Sequence, residues 1–368
     1  MPVNPLVALG RLGQSPWLDF ITRKLIASGR LAKLIADDGL RGMTSNPTIF
    51  EKAISGSEDY DEDIRRLAAE GRTPAQIFEA VAVADVRAAC DAFQPVYASS
   101  GGADGLVSLE VNPELARDTG GTIAEAIRLW AALERPNAMI KIPGTREGLP
   151  AITRAIEEGI SVNVTLLFGV ERYGEVIEAF RAGLERRAAR GRAIDRIASV
   201  ASFFVSRVDG RIDPILDQQG DPAGLRGRSA IANAAEAYTL FQQSLESPAW
   251  KALAAKGARP QRPLWASTST KDPKYPDVYY VEALIGPQTV NTLPPDTMDA
   301  YRDHGRPEVR IGAAQAEAAR VLPKLREAGI DLDQVTSFLE EDGVSKFAAS
   351  YRQLLTGLEA KLEVLAAR

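Results

Sequence analysis

The feature that most constrains this chain is an alternation. From about Trp17 onward, eight short β-like runs are separated by helical stretches, with no repeat of fixed length. The runs are Leu18-Asp19-Phe20, Gly42 to Asn46, Leu106 to Val111, Ala138 to Ile142, Ser161 to Leu167, Ile197 to Phe203, Pro263 to Ser267 and Thr289 to Leu293. Strands that alternate with helices predict a parallel sheet, open or closed into a barrel. The helices carry start signals: Thr73-Pro74 precedes Ile77, Val81 and Val86, where threonine can cap and proline fits the first turn. Ile123, Ile127 and Trp130 mark one apolar face of the next helix. After Leu293 no strand pattern remains. Thr297 to Asp303, Gly312 to Ala328 and Leu332 to Ala367 read as helices, with a break at Ile330-Asp331, and predict a C-terminal cap over about 296–368. The expectation is one α/β domain over residues 1–368, with its strands between about 17 and 293.

Composition narrows the chemistry. At 368 residues, 45% hydrophobic and 25% charged, the chain can bury a full core. A net charge of −5 leaves no basic surplus for nucleic acid. Residues 1–20 lack a charged segment followed by an apolar run, and no later stretch is apolar enough to span a bilayer, so the expectation is a cytoplasmic protein with no membrane partner. Cys90 is the only cysteine and sits in a helical pattern with Ala82, Val86, Ala89 and Phe93, which makes it a structural thiol. His304 is the only histidine, which excludes His-rich zinc sites and a Ser-His-Asp triad. The charges between Arg181 and Arg196 fit a solvated helix face and loop. Catalysis is left to lysine, carboxylates, hydroxyls and amides.

Strand parity places those groups. In Val107-Ser108-Leu109-Glu110-Val111-Asn112 the apolar residues face the surrounding helices, leaving Ser108, Glu110 and Asn112 facing inward. The same reading turns Asn163, Thr165, Thr44, Asn46 and Lys141 inward. They cluster near the strand ends that precede the helices, where a barrel builds its active site. Lys141 is the centre of this set. Loss of solvation disfavours the charged form of an amine, and a neutral amine attacks carbonyls. The alternative is a lysine that snorkels or pairs with Glu110. Two readings likewise fit Glu110, a mere counter-ion or a group that moves protons through water as a carbinolamine dehydrates. Asp19 could cap the following helix instead of acting in chemistry, and Asn46 and Asn163 could be satisfied core amides.

At these residues the chain becomes specific. Met43-Thr44-Ser45-Asn46-Pro47-Thr48-Ile49-Phe50, Ser108-Leu109-Glu110-Val111, Ile140-Lys141-Ile142-Pro143 and Asn163-Val164-Thr165-Leu166-Leu167-Phe168 closely resemble the motifs of transaldolases. The resemblance continues through Ser202-Phe203-Phe204-Val205-Ser206-Arg207, Ala266-Ser267-Thr268-Ser269 and Thr289-Val290-Asn291-Thr292-Leu293-Pro294. It covers residues 17 to 300 and is weaker in the C-terminal helices, in the manner of the family's longer bacterial branch. It implies a (β/α)8 barrel whose Lys141 forms a Schiff base with a ketose phosphate, and Asp19 as the acid/base on the C4 hydroxyl. It implies that Glu110 and Thr165 hold the catalytic water. Thr44, Asn46, Asn163 and Ser202 would bind the dihydroxyacetone part and Arg207 the distal phosphate, with Phe204 and Ser267 in the same substrate-binding set. Arg207 has an alternative, a surface ion pair with Asp209. The chain departs from the family pattern at Ser269, where a second phosphate-binding arginine is expected, and Lys271 is the candidate replacement.

The resemblance therefore implies transfer of dihydroxyacetone from sedoheptulose 7-phosphate to glyceraldehyde 3-phosphate, giving erythrose 4-phosphate and fructose 6-phosphate, a pentose phosphate pathway step that needs no metal or organic cofactor; the sequence leaves monomer and homodimer both open. A related activity, fructose-6-phosphate aldolase, uses the same lysine but carries an amide in place of Glu110 and a tyrosine in place of Phe204. A lysine holding pyridoxal phosphate, and a non-catalytic barrel that only binds, are the remaining alternatives.

Overall fold

The computed structural model describes residues 4–366. Ala367, the last residue of the expected final helix, and the outermost ends of the expected domain and cap lie outside the described residues. Eight parallel strands close into a barrel in sequential order: β1 Gln14–Asp19, β2 Gly42–Thr44, β3 Leu106–Glu110, β4 Ala138–Pro143, β5 Val162–Leu167, β6 Ser199–Phe204, β7 Arg262–Ala266 and β8 Thr289–Leu293. β8 pairs with β1, so no edge strand is left. Helices follow the strands around the barrel, and Pro295–His304, Ile311–Glu327 and Leu332–Ala366 complete the C-terminal end.

The strands form where the alternation predicts them, and the boundaries move for local reasons. β1 starts at Gln14, four residues before the expected run, because the buried Gln14 amide donates to the Leu284 carbonyl at 2.8 Å and to Thr289 Oγ1 at 3.0 Å. A satisfied amide lets a polar residue occupy a barrel strand. β2 stops at Thr44, and Asn46 instead becomes the cap of helix Pro47–Ser55, its Oδ1 accepting from the Ile49 N–H at 3.0 Å. Thr73 caps helix Pro74–Ser99 as expected, in a reciprocal capping box with Gln76. Glycine is required at the entry to β3: Gly105 has φ +78°, and a Cβ there would stand 2.4 Å from the Tyr97 backbone nitrogen. Between the last two helices Asp331 accepts from the amides of Asp333 and Gln334, which makes the expected break a helix start.

One inward assignment is corrected. Asn112 lies beyond the end of β3, and its side chain accepts from the Glu114 N–H at 3.0 Å to cap the short 3-10 turn Pro113–Leu115. Strand parity does not extend past the last strand residue. Cys90 is buried in helix Pro74–Ser99, and burial pushes its thiol above the usual range, where it is inert. His304 is exposed between Asp277 and Asp303, away from the inward-facing polar set.

Candidate active site

Register assembles the centre. Glu110 on β3 pairs with Lys141 on β4, and Lys141 with Asn163 on β5, so three polar side chains stand at one level of the barrel. Lys141 is 4% exposed, and its Nζ lies 3.6 Å from Glu110 Oε2. That separation is an ion pair, too long for a hydrogen bond. The ammonium's hydrogen bond goes instead to the Ser45 carbonyl, at 3.2 Å. Neither oxygen of Glu110 nor the hydroxyl of Thr165, also buried, has a hydrogen-bond partner among the described residues. Buried polar atoms in a native barrel are normally satisfied, so these three mark a place where a polar guest is held. Burial pushes the Glu110 carboxyl up to about 7, against the opposing pull of Lys141, while the charge of Asp19 adds to the rise.

Asp19 ends β1, and its Oδ1 accepts from Thr44 Oγ1 at 2.6 Å; Thr44 in turn lies 2.7 Å from Thr292 Oγ1 on β8. It does not cap the next helix. Thr22 does that for Arg23–Ala27, accepting from the Leu25 N–H. Part of Asp19 remains accessible, yet protein crowds its carboxyl and burial raises its pKa; Lys141, the Thr44 hydroxyl and Arg207 pull the other way. Asn163 is satisfied within the site: its Nδ2 donates to Ser108 Oγ at 3.0 Å, and its Oδ1 accepts from Ser202 Oγ at 2.7 Å. This chain spans β3, β5 and β6 and fixes the amide's orientation. Asn46 has spent its oxygen on the helix cap, which leaves its NH2 as the donor it can offer.

The rim carries strain. β5 bulges between Val164 and Leu167, and Leu166, next to Thr165, has φ +61°. Ser267, at the end of β7, has φ +55°. Left-handed conformations in non-glycine residues cost about 1–3 kcal/mol each and gather at functional sites. The Ser267 hydroxyl lies 3.0 Å from that of Ser206, at the start of helix Ser206–Gln219.

Arg207 follows Ser206. Its guanidinium carbon lies 5.1 Å from the centroid of the Phe204 ring, and its buried Nη1 has no partner among the described residues. Burial pulls its pKa down, opposed by Asp342 and Asp19. The suggested ion pair with Asp209 is not formed. Asp209 accepts from the Ala230 N–H at 2.7 Å and from the Tyr280 hydroxyl at 2.9 Å. Arg207 lines a cavity of about 750 Å³ with Ser206, Lys271, Asp342 and Lys346. Lys271 is exposed and forms no ion pair among the described residues, so it shares the cavity without being fixed in it. Phe204 packs on Phe168 with centroids 5.1 Å apart, an apolar wall with no proton to give.

Three contributors escaped the reading of residue types. The Ser45 carbonyl is backbone and carries no side-chain signal. Thr292 was legible only as part of a β8 motif. Phe347, whose ring centroid lies 5.8 Å from Lys141 Nζ, comes from the final helix, more than two hundred positions along the chain.

A closed parallel barrel with a buried amine–carboxylate pair at its strand ends defines a barrel enzyme built for carbonyl chemistry. The sequence then gives the family. A profile described as Transaldolase/Fructose-6-phosphate aldolase matches residues 16–358, and the chain belongs to that family. A Frankia alni protein named transaldolase is 50% identical over 362 residues, covering 98% of each chain. One from Saccharopolyspora erythraea, also named transaldolase, is 51% identical over 361 residues, covering 97% of this chain and 98% of its own. A Trichodesmium erythraeum transaldolase is 48% identical over 377 residues, covering 99% of both. No helix among the described residues is long and apolar enough to cross a membrane.

Proposed function

We propose that this protein is a transaldolase working through a Schiff base on Lys141. The observation that carries the reading is the placement of the Lys141 amine, buried inside the barrel 3.6 Å from a carboxylate whose oxygens have no hydrogen-bond partner among the described residues. The amine adds to the C2 carbonyl of a ketose phosphate such as sedoheptulose 7-phosphate. The resulting carbinolamine loses water to give an iminium, with Glu110 and Thr165 holding that water and Glu110 relaying the proton. A carboxyl near 7 exists in both protonation states at neutral pH, which suits a group that must give and take.

Asp19 takes the C4 hydroxyl proton as the C3–C4 bond breaks, and the electron pair flows into the iminium to leave an enamine. Its hydrogen bond from Thr44 keeps it in place while burial favours its holding the proton. The aldose phosphate leaves. The enamine carbon then attacks the aldehyde of glyceraldehyde 3-phosphate, Asp19 returns the proton to the new alkoxide, and water releases fructose 6-phosphate from Lys141. Asn163, Ser202, Thr44 and the free amide of Asn46 bind the three-carbon unit. Arg207 takes the distal phosphate, with Ser267 at the rim and Lys271 as an accessory cation. No step calls for a metal or organic cofactor. The reaction belongs to the cytoplasmic pentose phosphate pathway. Glu110 and the apolar Phe204 favour transfer over the release typical of fructose-6-phosphate aldolase.

Borohydride reduction after incubation with fructose 6-phosphate tests this. Peptide mass spectrometry should find a dihydroxyacetone adduct on Lys141 that disappears when erythrose 4-phosphate is supplied, and Lys141→Ala should yield a folded protein with neither adduct nor turnover. Absence of an adduct on any lysine would remove the Schiff-base assignment.

A further inference from the structure

The helix Leu332–Ala366 follows the last barrel strand, yet it reaches the amine of Lys141. Its buried face includes Leu339, Gly343, Phe347, Tyr351 and Leu354, a stripe at three- and four-residue spacing. Gly343 brings the helix backbone onto the β5 rim: a Cβ there would stand 3.0 Å from Leu166 Cδ2 and 3.5 Å from Phe168 Cε2. One turn later Phe347, 5% exposed, sets its ring over Lys141 Nζ. Ser350 holds the next turn, its hydroxyl 2.9 Å from that of Thr48. The helix thus packs on Leu166 and Phe168 of the β5 rim at Gly343 and, one turn later, reaches Lys141 Nζ through the Phe347 ring.

We propose that Phe347 is a positioning residue that decides whether the three-carbon unit is transferred or released. The inference rests on the Schiff-base reading above. The enamine on Lys141 has two fates. Its carbon attacks an aldehyde acceptor, which is transfer. Alternatively, that carbon takes a proton and the resulting iminium adds water across C=N. The carbon–nitrogen bond then breaks, so that the water's oxygen leaves in free dihydroxyacetone and the lysine amine is regenerated. Both routes end with an iminium hydrolysed at Nζ, which returns the water lost when the Schiff base formed; the second route alone needs a proton donor, such as water, beside the enamine. An aromatic ring face stabilises a positive nitrogen without supplying a proton, and it occupies the space that a water would take. Shortening Phe347 would create a cavity whose wall includes the Lys141 ammonium and the Ser45 carbonyl, polar partners of the kind that hold water.

The test compares two rates on the full-length protein. One is free dihydroxyacetone released from fructose 6-phosphate without acceptor, and the other is transfer to erythrose 4-phosphate. Phe347→Ala should raise the release-to-transfer ratio by about tenfold. Phe347→Leu, which refills the volume with apolar atoms, should bring it most of the way back. A purely structural role would lower both rates together and leave the ratio alone. Should the alanine variant unfold, Phe347→Val supplies the same comparison with a smaller truncation and an intermediate ratio. An unchanged ratio in a folded variant that still gives the borohydride adduct on Lys141 would overturn the proposal while leaving the Schiff base standing. No adduct in the unaltered protein would overturn both.

Discussion

Replacing Glu110 by glutamine separates the chemistry of this site from its packing, because the side chain keeps its shape while its charge and its titration are lost. The carboxyl is held from an ordinary value of 4.5 up to about 7 by burial, with a side-chain exposure of 3% that leaves little room for solvent screening. A proton held over that interval corresponds to about 3 kcal/mol of preference for the neutral form in the folded state. The folded protein binds this proton more tightly than the unfolded chain, so stability falls as pH rises from about 4.5 to about 7 and the full cost is present above that window. Glu110→Gln has nothing to ionise and should lack this slope. Urea midpoints at about pH 5 and about pH 8 read the difference between the two proteins. The slope is the quantity to compare, since glutamine also takes the counter-ion from Lys141 and shifts absolute stability by a separate amount.

The same titration should appear in turnover. If Glu110 must accept a proton during carbinolamine formation, the rate in the unaltered protein rises through about pH 7 as the carboxyl ionises. The glutamine variant should be slower by about a hundredfold at alkaline pH, and flat where the unaltered enzyme rises. Initial rates of glyceraldehyde 3-phosphate formation from fructose 6-phosphate and erythrose 4-phosphate across that range provide the assay. An acid limb near pH 7 that survives in Glu110→Gln would assign the titration to another group and refute the reasoning.

Arg207→Ala removes the half-buried guanidinium that the proposed mechanism gives the phosphate and should raise KM for phosphorylated substrates at least tenfold with a smaller change in kcat, as expected when ground state and transition state lose the same contact. Lys271→Ala should raise KM only severalfold, since that side chain is exposed; equal KM values with and without Lys271 would take it out of the phosphate site. Gly42→Ala tests the barrel seam. Its added Cβ would fall 2.4 Å from Trp17 Cε2, beside a fully buried indole, and should cost about 1–3 kcal/mol in urea unfolding, whereas undiminished stability would show that β1 and β2 can part without cost.

Much of this site was legible because strand parity is a strict rule. Lys141, Glu110 and Asn163 fall on inward positions of three strands, and parallel pairing brings them level. The rule fails where the strand fails. Asn112 was assigned inward by counting two beyond Glu110, but β3 has ended there and the side chain serves a 3-10 turn. Asn46 is an intermediate case, a site residue whose oxygen belongs to a helix start. Composition could not locate the Ser45 carbonyl, which is backbone, or Phe347, whose apolar stripe reads as ordinary helix packing until the barrel shows which strand end it covers. The left-handed Leu166 was equally hidden, because leucine at that position gives no hint of a bulge.

The two carboxylates illustrate why residue type alone left their roles open. Burial raises both, and Lys141 opposes the rise in both, so desolvation and the nearest charge do not distinguish them. Their neighbours do. Asp19 is fixed by the Thr44 hydroxyl, itself tied to Thr292, and feels the charges of both Lys141 and Arg207. Among the described residues Glu110 is held only by its ion pair with Lys141, and its oxygens can bind a small polar partner. A substrate anchored on the amine at one end and on Arg207 at the other runs past Asp19, which suits that carboxyl to a substrate hydroxyl. Glu110, paired to the nitrogen itself, is suited to the water that comes and goes as the carbon–nitrogen bond is made and broken. Two carboxylates whose pKa burial moves in the same direction are thus divided by what holds them in place, and the division follows from which strand each one ends.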